Sequence, residues 1–97
     1  MTRSEFNKKT EHYHGRIGDM DIVLDDYCSA DFIIGCYYDK KTKTWKVYET
    51  YERGMGDIRL ETTSEGNALN KLYSMIEVEN ERYSRYKELE AKKKKQE

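Results

Sequence analysis

The chain has 97 residues, 38% charged and 36% hydrophobic, with a net charge of −1 and a mean hydropathy of −1.09. That length suits one domain with a modest core, and no apolar run approaches the roughly 20 residues of a membrane span. Disorder over most of the chain is excluded by the absence of proline and by nine Tyr, two Phe and one Trp, since each buried aromatic removes roughly 150–250 Å² from water.

In chain order, residues 1–14 are expected to hold a short helix capped by Ser4, with Phe6 and Tyr13 on one side. Residues 20–24, MDIVL, read as a first strand, and DDYCSAD as the connection that follows. DFIIGCYYD is β-branched and aromatic between aspartates, the composition of a strand. Its alternation puts Phe32, Ile34, Cys36 and Tyr38 on one face and Ile33, Gly35 and Tyr37 on the other. Gly35 marks a bulge or the close approach of another chain. DKKTKT is a hairpin turn, and the returning strand TWKVYETYE sets Trp45, Val47, Glu49 and Tyr51 against Lys46, Tyr48, Thr50 and Glu52. RGMG supplies a second turn, and DIRLET a third strand with Ile58 and Leu60 pointing together.

From Thr63 the period changes. Threonine and serine offer N-caps, Glu65 sits in the first turn, and Leu69, Leu72, Tyr73, Ile76, Tyr83 and Tyr86 recur at helical spacing. Beyond Ile76 the stripe thins to tyrosines among charges, so those turns should project past the sheet or meet something else. The expected architecture is α+β: a small antiparallel meander of three to four strands, covered on one side, with one long C-terminal helix packed on that face. Residues 1–90 form a single domain and 91–97 a flexible basic tail.

The candidate chemistry is sparse. His12 and His14 lack a third ligand at metal spacing, and DMDIVLDD lacks the loop pattern of a calcium site. Cys28 and Cys36 are neither a zinc pair nor a redox pair; Cys36 alternates with core residues, and Cys28 has no cation within three places to activate it. The G-x-G at Gly54 and Gly56 precedes a strand, so it presents no helix terminus to a phosphate. Glu49 and Glu52 fall on opposite faces, which opposes a joint acid–base role. The expectation is therefore a protein that is not an enzyme and holds neither metal nor cofactor.

Charge is uneven along the chain. Residues 87–97 carry five Lys and three Glu, while Asp19, Asp21, Asp25, Asp26 and Asp31 crowd the first third. An acidic body is a poor match for a phosphate backbone and suits a basic partner. Tyrosines and charged side chains on an open sheet face point to protein binding. A nucleic-acid binder using the tyrosines and the lysine tail is disfavoured by that balance, whereas a regulatory factor acting as a homodimer through the sheet edge or distal helix is the alternative. No apolar leader stands in MTRSEFNKKTEHYH, so a cytoplasmic, reduced setting is expected.

The stretch WKVYETYERG, then a short strand and TTSEGNALNKLYSMI, resembles the small bacterial immunity proteins of polymorphic toxin systems. Some of these carry W-x-V-Y-E-x-x-E-R-G on a strand, followed by a strand and a helix. The resemblance covers residues 31–78, with Trp45, Tyr48, Glu49, Glu52, Arg53 and Gly54 on the motif; Gly66 and the long charged helix after Glu77 depart from it. It implies a single-domain, non-catalytic cytoplasmic protein that blocks a cognate toxin, such as a basic nuclease, by binding it. Asp25, Asp26, Tyr48, Glu49, Glu52 and Arg53 are the partner-binding residues expected on this basis.

Overall fold

The computed structural model describes residues 1–96, with side chains through Lys93. Among these residues, two α-helices and five strands form one α+β unit. Helix α1 (Arg3–Thr10) leads through a 3₁₀ turn to the hairpin of β1 (Arg16–Ile17) and β2 (Met20–Leu24). Strands β3 (Ile33–Asp39), β4 (Thr44–Thr50) and β5 (Gly56–Thr62) follow, then helix α2 (Glu65–Gln96). The strands lie side by side in sequence order. No helix among the described residues is long and apolar enough to cross a membrane.

Helix α1 is capped by Thr2, not Ser4: its hydroxyl accepts the Glu5 N–H at 3.1 Å from an extended backbone. Phe6 is the α1 residue that reaches the core. Helix α2 starts as its sequence predicts, with Ser64 Oγ accepting the Asn67 N–H at 3.1 Å. Its stripe of Ala68, Leu69, Leu72 and Ile76 is fully buried against Ile34, Cys36 and Val47 of the sheet. Burying each of the larger aliphatic side chains stabilises the fold by about 1.5–3 kcal/mol.

At 1.5 Å per residue the 32 residues of α2 span about 48 Å, far beyond seven-residue strands. The distal turns are steadied by Tyr83, whose ring lies on Gly18 of the β1–β2 hairpin. A Cβ there would stand 2.7 Å from the ring, and Gly18 also adopts a φ of +56°, so glycine is required twice over. Val78, Tyr86 and Leu89 remain exposed. The helix runs into the segment expected to be a flexible basic tail; the side chains of residues 94–96 and all of Glu97 lie outside the described residues.

Three features differ from a simple meander covered on one side. First, β2 and β3 pair in parallel, with Asp21 opposite Ile33 and Leu24 opposite Cys36. Residues 25–32 must therefore carry the chain back along the sheet, and they do so over the face away from α2. Second, that face is covered there, so Ile33, Gly35, Tyr48 and Thr50 are buried as fully as the helix-side core.

The third difference is a register shift where Val47 pairs with Leu60 and Tyr48 with Ile58. Arg59 is thus the extra residue of a β-bulge. Leu60 packs on the helix side, while Ile58 faces outward at 48% exposure. The expectation that Ile58 and Leu60 point together fails because the bulge inverts the alternation between them.

Candidate partner-binding face

The crossover of residues 25–32 is held to the sheet by two buried hydroxyls. Tyr48 donates its hydroxyl to the Asp26 carbonyl at 2.8 Å and accepts the Cys28 N–H at 2.9 Å. Thr50 donates to the Ala30 carbonyl at 2.7 Å and accepts the Ile33 N–H at 2.8 Å. Backbone groups that the loop cannot pair within itself thereby find partners. Both ends of the crossover turn through the left-handed region, Asp25 at φ 75° and Phe32 at φ 57°. Such conformations cost a non-glycine residue about 1–2 kcal/mol each, and they persist because both flanking strands are pinned.

Tyr48 reaches the loop across Gly35, its partner in the β3–β4 ladder. A Cβ at Gly35 would fall 2.5–2.6 Å from the ring and hydroxyl, so the glycine marks neither a bulge nor another chain but the close approach of a side chain from the neighbouring strand. The ring meets Tyr27 of the crossover at 4.8 Å and Tyr37 at 5.7 Å, and those two meet each other at 5.7 Å. Tyr27 remains 52% exposed.

Tyr48 is therefore not a contact residue on an open face: it is 1% exposed and fixes the loop from below. Burial pushes its hydroxyl up to about 12, against a usual value near 10. A group whose folded value is raised contributes stability that is complete below the unfolded value and lost as pH rises through the folded one. Stability should accordingly fall between about pH 10 and pH 12. Absorbance at 295 nm followed beside far-UV circular dichroism should show a last tyrosine ionising together with unfolding; its ionisation near pH 10 in the folded chain would contradict this.

The other expected site residues divide between surface and scaffold. Asp25 is engaged by Arg3, which binds both carboxylate oxygens at 2.7 and 2.9 Å, reaches Glu65 at 3.5 Å and lies over the Trp45 ring. Arg3 therefore ties α1, the crossover and α2 together, with Asp25 as its partner in the crossover. Asp26 is exposed beside Tyr27. Glu52 and Arg53 are exposed in the 3₁₀ turn after β4, and Arg53, at φ 61°, takes the left-handed position of that turn. Because Thr50 binds Ala30, this turn lies at the end of the sheet where the crossover rejoins β3.

Glu49 belongs to the opposite face. Its side chain is 15% exposed and pairs with Arg59 at 3.1 Å, while the Tyr51 hydroxyl donates to the same oxygen at 3.4 Å and touches Arg59. The bulge aims Arg59 into this cluster. Desolvation, and then the Glu49 charge, push the Tyr51 phenol up, so it stays protonated. The cluster borders a cleft of about 600 Å³ between the hairpin and distal α2, walled by Phe32, Tyr51, Tyr83 and Tyr86. Glu79 in its wall is paired with Arg82 at 2.9 Å. Of the carboxylates lining this cleft, Glu49 and Glu79 are thus already matched.

Sequence reasoning missed Tyr27, Thr50, Ile58, Arg3 and Arg59. Tyr27 carried a signal, a lone aromatic in a polar connection; the others became visible through contacts remote in sequence. No protein-family model matches this chain, and no curated protein or solved structure is significantly similar to it.

Proposed function

We propose that this chain is a non-catalytic protein-binding module of the immunity type, which neutralises a cognate bacterial toxin domain in the cytoplasm by direct contact. The observation that carries this reading is the crossover: a loop clamped by Tyr48 and Thr50, strained at both ends, that holds Asp26 and Tyr27 outward. A loop ordered before binding loses little entropy when the partner arrives. Acids along the face, with Glu52 at its far end, complement a basic surface and chiefly raise the association rate.

The test is binding to the toxin encoded beside the gene, with Asp26→Lys and Glu52→Lys as variants. Both residues are exposed, whereas Asp25 and Glu49 hold internal ion pairs and would confound the result. Charge reversal should slow association about tenfold at low salt, with the gap narrowing as screening increases. Unchanged association kinetics, or a chain that does not bind the toxin, would sink the proposal.

A further inference from the structure

We infer that the outer face of the sheet is a docking site for an arginine-bearing segment of a basic protein, with the guanidinium stacked on Tyr27 and paired with Asp26. This rests on the protein-binding reading and gives it a place and a chemistry. Tyr27, at 52% exposure, and Ile58, at 48%, flank the buried Tyr48: the first packs on its ring, the second lies across the β4–β5 ladder from it. Tyr37 braces Tyr27 from the side. The exposed ring is thus positioned in advance, the property that distinguishes an interface anchor from an ordinary surface tyrosine.

The charges around this apolar centre select the occupant. Lys46, the base that the strand alternation places on this face, is held by Asp39 at 2.8 Å. Glu61, opposite Lys46, accepts the Thr44 hydroxyl at 3.0 Å and feels the Lys46 ammonium across the ladder without forming an ion pair with it, which leaves Asp26 as the carboxylate beside the apolar centre. Among the described residues neither Asp26 nor Glu61 belongs to an ion pair. A second copy of the chain would bring the same acids against these, so self-pairing through this face is opposed. A basic partner relieves them.

Arginine fits better than lysine. Its planar guanidinium stacks on an aromatic ring while its fork pairs with a carboxylate, and Asp26 and Tyr27 are consecutive residues that offer both. An ammonium satisfies the carboxylate but gains less from the ring.

The experiment is amide NMR titration of the whole chain at low ionic strength with blocked heptapeptides of arginine and of lysine. The arginine peptide should shift Asp26, Tyr27, Tyr37 and Ile58, and bind roughly two- to fivefold tighter than the lysine peptide, the factor an exposed cation–π contact supplies. Tyr27→Ala should erase that difference, Tyr27→Phe should keep it, and Asp26→Asn should weaken both peptides alike. Equal binding of the two peptides, a difference that survives Tyr27→Ala, or shifts centred on the Glu49 cleft or on α2 would overturn the assignment. Failure here is separable from failure of the immunity reading. A chain that binds its toxin unchanged with Tyr27→Ala loses this surface alone, and one that binds the arginine peptide as described but no toxin loses the immunity role alone.

Discussion

Gly35→Ala is expected to destabilise the protein by roughly 2–3 kcal/mol, a large share of the stability of a domain this small. In an ordinary strand the same change is favourable, because alanine loses less backbone entropy on folding than glycine. Here the new methyl group would enter the space of the Tyr48 ring, 2.5 Å from its Cζ. The ring cannot swing aside without giving up its hydrogen bonds to Asp26 and Cys28, and Tyr27 and Tyr37 close the lateral space. Urea denaturation of Gly35→Ala, alone and in a Tyr48→Ala background, separates the causes. With the ring removed, the glycine substitution should become neutral or mildly stabilising. A loss of similar size in both backgrounds would show that the ring is not the reason.

Thr50→Val should cost roughly 2–4 kcal/mol, although the two side chains have nearly the same shape. Thr50 is fully buried, and its hydroxyl serves both the Ile33 N–H and the Ala30 carbonyl. Valine leaves the buried Ile33 N–H unpaired, at about 1–3 kcal/mol, and also removes the bond to the part-buried Ala30 carbonyl, worth about 0.5–1.5 kcal/mol. The loss should be local as well as global. The Ile33 amide should exchange with deuterium faster, and the crossover, released at one of its two clamps, should hold Asp26 and Tyr27 less firmly. Affinity for a partner would then fall with no contact residue changed. A Thr50→Val protein within 0.5 kcal/mol of wild type, with Ile33 protection intact, would show that the clamp is not needed.

The candidate face was half legible in advance. Asp26 stood out as part of an acidic run, but Tyr27 was passed over in its polar loop, and Tyr48 and Glu49 were placed among contact residues when they are scaffold. Alternation along β4 correctly separated Tyr48 from Val47, yet the polar neighbours Lys46 and Thr50 made that face look open to water. What covers it is a loop whose anchoring carbonyls lie 20 and 22 residues away in sequence. No local pattern records such a partner. Arg59 was hidden for a different reason: a bulge adds a residue to one strand and leaves the composition of both unchanged.

From the sequence alone followed the α+β class, the β3–β4 hairpin, the two faces of β3 with Cys36 in the core, and a long helix anchored by Leu69, Leu72 and Ile76. Each of these depends on periodicity and capping, which are properties of neighbouring residues. Tertiary structure alone decided the parallel β2–β3 junction, the burial of both faces of the central strands, and the pairing of Arg3 with Asp25. Those depend on which segment crosses which, and the crossing is stabilised by hydroxyls, a missing Cβ and left-handed residues whose value appears when the distant partner is in place.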